Sequence, residues 1–303
     1  MNTENQEPNE FPLTDATDMA ILMHRDAHFG GQFEIMLEYY IKGGKGVNPE
    51  FDVERIQELA VYEKQTKQNL ATILLSGADA ERIARAKEAY KTLRDLYDTD
   101  KPFTKNPRLI ADLILTESED PQEEIAAIAK EKVTIVPALI ELIRSEDYHD
   151  PLFPGFGMAP MLAIRAMGVI GDKKAIITLF EAIGTGDFFD DDLILEALHA
   201  IGEPAKIFLL KVLHGKPLNE DNERAAIALI AFKEDPEVAK ACLNLLKDPE
   251  TFKDLPFATY LVLACEWLKD ENLRKEFAAL ATDSRTPKDL QLDIKAIAKL
   301  HQS

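Results

Sequence analysis

Residues 163–183 read A-I-R-A-M-G-V-I-G-D-K-K-A-I-I-T-L-F-E-A-I, and residues 193–213 read L-I-L-E-A-L-H-A-I-G-E-P-A-K-I-F-L-L-K-V-L. In both, an apolar helix ends at a glycine and an acidic residue, a very short turn follows, and a second apolar helix begins. Gly171-Asp172 and Gly202-Glu203 lie 31 residues apart, with the apolar positions around them in step. A two-helix unit repeated at a fixed period predicts a helical solenoid, because one such unit cannot bury its apolar side alone.

The pattern extends in both directions. Ile176, Leu179, Phe180 and Ile183 follow the i, i+3, i+4, i+7 stripe of an amphipathic helix, as do Ile194, Leu195, Leu198 and Ile201. A third unit spans 224–246, where Ile201 to Phe232 is again 31 residues, and a fourth spans 260–280. A last helix, from Pro287 to Leu300, carries enough polar residues to serve as a terminal cap. Upstream, P-A-L-I-E-L-I (137–143) aligns with I-T-L-F-E-A-I (177–183) at a spacing of 40, so E-D-Y-H-D-P-L-F-P-G-F-G-M-A-P (146–160) reads as an insertion. Strand-type alternation nowhere persists. The expected fold is all-α, a right-handed α-α superhelix over residues 104–303.

Residues 1–12 are acidic and poor in apolar groups, so a disordered tail is expected there. Residues 13–100 read as a helical domain or as degenerate repeats. Their helices are expected from Asp18 to a stop at Gly30-Gly31, from Gln32 to a stop at Gly43-Gly44, from about Pro49 to Leu75, and from Asp79 to near Asp98.

The run from Ala163 to Ile183 resembles the HEAT repeat, in particular the bacterial HEAT-like units typified by phycobilisome lyase-type proteins. Ile170, Gly171, Asp172, Ala175, Ile176 and Leu179 match that pattern position by position. Ile201, Gly202, Glu203 and Pro204 match more loosely, and Glu234, Asp235 and Pro236 more loosely still. The resemblance covers about residues 120–300 and none of residues 1–100. It implies a scaffold whose second helices line a concave binding face, and it is more specific for fold than for function.

Composition narrows the partners. The 303 residues hold 54 Asp and Glu against 35 Lys and Arg, a formal charge of −19. Such a surface repels phosphate backbones, so nucleic acid is not an expected partner. The two cysteines, Cys242 and Cys265, sit in apolar helical runs and read as buried small hydrophobes in a reducing compartment. The N-terminus has neither the basic start nor the apolar core of a secretory signal, and no apolar run approaches the ~20 residues of a membrane span. A cytoplasmic protein is expected.

Chemistry-bearing motifs are few. His24 and His28 stand at i and i+4 on one helical face, a spacing that suits a metal such as zinc, with Glu34 or Glu38 as a distant third ligand. Arg25 occupies the place of the Glu in zinc proteases, and the competing reading is a helix C-terminus whose histidines meet the dipole. Gly43-Gly44-Lys45-Gly46 lacks the spacing and the strand of a phosphate loop. Asp187, Asp190, Asp191 and Asp192 form an acidic link without EF-hand spacing; they read as a helix cap and as an edge for a basic partner.

In the insertion, Tyr148, Leu152, Phe153, Phe156 and Met158 occupy a Pro/Gly-rich loop read as non-helical. Such side chains either fold back or meet a partner. The residues selected for partner binding are Tyr148, Leu152, Phe153, Phe156, Asp190, Asp191 and Asp192. The expected function is a non-enzymatic, cofactor-free HEAT-like scaffold for protein–protein interaction. The alternative is a metal-dependent or lyase-type enzyme with its site in the N-terminal helices.

Overall fold

The computed structural model of the chain describes residues 15–44, 51–98, 104–116, 118, 120–184 and 191–301. The tail at 1–12, the helix start at Asn48-Pro49, Lys45, Gly46, Asp187 and Asp190 lie outside them. Among the described residues the structure is all-helical and holds no strand. The first helices are α1 (Ala16–His28), α2 (Phe33–Ile41), α3 (Val53–Thr66), α4 (Leu70–Leu74), α5 (Gly77–Asp95) and α6 (Lys105–Leu115). There follow α7 (Gln122–Ala129), α8 (Val136–Arg144), α9 (Glu146–His149), α10 (Ala159–Ile170), α11 (Ile176–Ala182) and α12 (Asp191–Ile201). The last are α13 (Glu203–Leu213), α14 (Glu220–Leu229), α15 (Pro236–Leu246), α16 (Leu255–Ala264), α17 (Glu271–Leu280) and α18 (Lys288–Leu300). No described helix is long and apolar enough to cross a membrane.

By packing, the chain divides into two compact units. One comprises the described residues up to Glu124 with Arg144–Pro160, and the other comprises Ile125–Ile143 with the residues from Met161 onward. Residues 146–160, an insertion within the repeat array by sequence, therefore pack with the N-terminal helices.

In the first unit, α1 is capped by Asp15, whose carboxylate accepts the Asp18 N–H at 3.0 Å. Its apolar stripe, with Ile21 and Leu22, packs on Phe33, Met36, Ile56 and Leu70. Arg25 on the same helix is wholly buried, with contacts of 2.6 Å to Asp26 and 2.8 Å to Glu63 and with its guanidinium 4.6 Å from the Phe33 ring centroid. Glu63 also accepts the Leu70 N–H at 2.7 Å, so one carboxylate ties α3 to both α1 and the start of α4. The single helix expected from about Pro49 to Leu75 is broken here. Lys67 takes the left-handed region at φ 56°, and Asn69 caps α4 by accepting the Thr72 N–H at 3.1 Å. A side chain that can cap outcompetes continuation of the helix. Similarly, α5 starts earlier than Asp79, because Ser76 and Asp79 form a reciprocal capping box.

In the second unit the units read from the sequence are present as helix pairs α10/α11, α12/α13, α14/α15 and α16/α17. Gly171 (φ 66°) and Gly202 (φ 78°) take left-handed backbone at the turns, which explains the residue type at both. Equivalent helices meet equivalent helices. Among first helices, a Cβ on Gly168 of α10 would stand 3.2 Å from the Ala197 Cα of α12. Among second helices, Phe180 of α11 and Phe208 of α13 meet edge to face with centroids 5.4 Å apart. Lys206 of α13 reaches Asp235 at 2.7 Å and Glu237 at 3.3 Å beside α15, and Lys247 after α15 reaches Glu276 of α17 at 2.6 Å.

Gly168 thus sets the spacing between two stacked helices. Gly168→Leu is expected to force α10 from α12 and to destabilise the protein by about 1–3 kcal/mol, the usual cost of overpacking. Urea unfolding measures this, and a variant as stable as the parent would show that the close approach constrains nothing.

Candidate functional site

The inserted loop and the two histidines selected from the sequence come together in the first unit. The ring of His28 accepts or donates at both nitrogens: Nδ1 lies 2.7 Å from the Tyr90 hydroxyl and Nε2 lies 3.1 Å from the Pro151 carbonyl. A carbonyl can only accept, so Nε2 carries the proton and Nδ1 accepts from Tyr90. Phe156 stacks on the same ring at 4.3 Å and 21°. The His24 ring lies 5.1 Å away, tilted by 35°, and meets Phe51 edge to face. Burial holds the His24 ring down to about 4 and the His28 ring down to about 3, with the neighbouring His24 adding to the second shift.

This geometry is a poor metal site. A metal on His28 would have to displace Tyr90 or Pro151. Glu38, one of the distant ligands considered, is exposed and bonded to Lys42. Among the described residues no three His, Cys, Asp or Glu side chains are grouped to hold a metal.

The loop's apolar residues also point inward. Leu152, Phe153 and Phe156 are 2%, 1% and 8% exposed, which removes them as a surface offered to a partner. Leu152 and Phe153 pack on Met23, Ala27, Ile83 and Ala86, and Arg85 lies over the Phe153 ring at 5.6 Å. The reason is local demand: α1 and α5 leave an apolar side that these residues cover. Phe156 pays for its stacking with a left-handed backbone at φ 52°, a conformation disfavoured for an aromatic residue. Tyr148 lies in the short helix α9 rather than in a non-helical loop, and it is half-buried, with its hydroxyl pKa raised by that burial. Ion pairs from Arg82 to Asp150 at 2.6 Å and from Arg85 to Asp147 at 3.5 Å hold the loop's rim.

Of the acidic link, Asp190 lies outside the described residues. Asp191 is half-buried at the start of α12 and accepts the Gly184 N–H at 3.1 Å, while Asp192 is exposed in the same first turn. Both fall in the first turn of α12, where negative charge meets the positive end of the helix dipole. Cys242 and Cys265 are fully buried, and burial raises both thiols, Cys242 to about 12.

Sequence reasoning missed a pair on the second helices. Ile177 of α11 and Ile207 of α13 are 54% and 58% exposed, while the positions beside them, Ile176 and Lys206, are buried. Counting from the glycines at 31 pairs Ile177 with Phe208 and hides the match. The turn from Gly202 to Ala205 is one residue shorter than that from Gly171 to Ala175, so the second helices keep a spacing of 30. With that shift Ala175 matches Ala205, Leu179 matches Leu209 and Ile183 matches Leu213, all buried. Aligning on the second-helix core instead of the glycine was the available signal. The exposed positions one turn further on are Glu181 and Lys211, and on α15 the exposed Lys240 stands where Ile177 and Ile207 do.

Comparison with protein families, curated proteins and solved structures finds no match.

Two outcomes follow from the buried loop. Phe153→Ala is expected to cost about 3–5 kcal/mol, as for other buried aromatics; a loss below about 1 kcal/mol in urea unfolding would mean that the loop does not carry core weight. Both histidines have folded pKa values below the 6.5 of the free ring, so the unfolded chain takes up protons first. Their stability contribution is therefore complete above 6.5 and declines as pH falls from there towards about 4 and about 3. The upper part of that window precedes the Asp titrations, whose ordinary value is 3.8. The unfolding free energy should fall between about pH 6.5 and 5, and His24→Asn/His28→Gln should flatten that fall while lowering stability at neutral pH. An unchanged slope in the variant would refute it.

Proposed function

We propose that the chain is a non-enzymatic, cytoplasmic HEAT-like repeat scaffold that binds another protein through the exposed side of its second helices. The reading rests on one observation: Ile177 and Ile207 recur at equivalent, solvent-facing positions of two stacked helices. A branched aliphatic residue exposed once is ordinary, but exposed twice in register it makes a shared apolar strip on a stacked pair. Helix pairs stacked first on first and second on second support a right-handed superhelix, in which the second helices would line the concave face. Glu181 and Lys211 stand one turn beyond the strip and Lys240 continues its row on α15, so a partner with charges of both signs around an apolar core fits it.

Ile177→Asp/Ile207→Asp is the test. Both side chains are exposed, so the variant should unfold at a urea midpoint close to the parent's. In affinity capture from native lysate followed by mass spectrometry, a partner retained by the parent should fall by about tenfold or more with the variant, equivalent to at least 1.4 kcal/mol. Identical captured sets from two equally folded proteins would overturn the proposal.

A further inference from the structure

A cleft of about 580 Å³ opens between the end of α1 and the middle of α5, within the first unit. Lys87, Lys91 and Arg94 line it from α5, and His28 and Tyr90 contribute to its wall. Residues at i, i+4 and i+7 share one face of a helix, so the three cations form a stripe about 10 Å long. A second lobe of about 490 Å³ adjoins it, sharing Asp26, Ala84 and Lys87. Beyond those three, the second lobe is lined by uncharged residues, among them Thr72, Leu75, Ser76 and Ala80.

The charges around the first lobe are unevenly committed. Asp26 is bonded to the buried Arg25 at 2.6 Å, and Glu88 to Lys91 at 3.2 Å. Lys87 and Arg94 make no ion pair with a described residue. Elsewhere on the same helix Arg82 and Arg85 are matched by Asp150 and Asp147. Lysines without an ion pair to a described residue also occur elsewhere, as at Lys64, Lys173 and Lys240; what sets Lys87 and Arg94 apart is that they line one concave site together with Lys91. The wall behind them is rigid, because Tyr90 is held by His28 and His28 by Pro151 and Phe156. Both volumes fall in the range of small-molecule sites.

The geometry points to a binding site for a small organic phosphate. Its phosphate lies against Lys87, Lys91 and Arg94, and its uncharged body lies in the second lobe beside Thr72, Leu75 and Ala80. A phosphate monoester carries nearly two negative charges, which the two unmatched cations balance, and Arg94 can present paired N–H donors to its oxygens. Nothing about this site depends on the protein-binding face of the second helices.

Calorimetric titration of the full chain with phenyl phosphate, inorganic phosphate and phenol tests it. Phenyl phosphate should saturate at millimolar concentration or below, and about tenfold more tightly than inorganic phosphate, with no saturation by phenol. Lys87→Gln/Arg94→Gln should weaken both phosphates by about tenfold or more. These are exposed helix positions and glutamine is a good helix former, so the unfolding midpoint should stay put. Ala80→Trp, filling only the second lobe, should weaken phenyl phosphate and spare inorganic phosphate. Lys253→Gln, on an exposed surface of the second unit, should change neither. The proposal fails if phenyl phosphate shows no saturation by about 10 mM, if the Lys87/Arg94 variant binds it as tightly as the parent, or if phenol binds equally well.

Discussion

A pair of short amphipathic helices leaves one apolar side uncovered, and the rest of the structure depends on how that side is closed. In the second unit the next pair closes it. Gly168 lets α10 lie directly against α12, and Phe180 meets Phe208 where α11 stacks on α13. In the first unit the loop after α9 closes it, placing Leu152 and Phe153 on α1 and α5. Hydrophobic burial drives both solutions, and each buried aromatic carries a large share of the gain.

Polar groups then fix which arrangement wins. Arg25 is buried with two carboxylates and an aromatic face, and Lys206 is nearly buried among Glu203, Asp235 and Glu237. Buried ion pairs add little net stability, since desolvation offsets most of the attraction. Their weight is in what their absence would cost: any register that strands Arg25 without Glu63 leaves a charge in an apolar core. His28 acts in the same way for the loop. Its donor and acceptor are both used, so only one seating of Pro151 and Tyr90 satisfies it.

These contacts redistribute the functional weight of the chain. The aromatic insertion is structural, and His28 anchors it through Pro151 and Phe156. The faces we propose as functional lie elsewhere, on the exposed side of the second helices and along the Lys87, Lys91 and Arg94 stripe of α5. Both are helix faces whose neighbours are buried, which gives each a firm backing.

Hydrophobic periodicity is a local property, so the sequence by itself determined the all-helical class and the helix pairs from α10 to α17. It also determined the turns at Gly171 and Gly202, where only a left-handed backbone closes so short a link. Boundaries set by capping competition were less legible, as at Lys67 and Asn69, because two outcomes there differ by a single side-chain hydrogen bond. What only the tertiary structure decided is each contact between residues far apart in the chain. His28 and Pro151 are separated by 123 positions, and no pattern in either segment announces the other. The fate of Phe153 and Phe156 rested on whether an uncovered apolar side lay within reach. That is a property of the folded surface, and sequence spacing does not encode it.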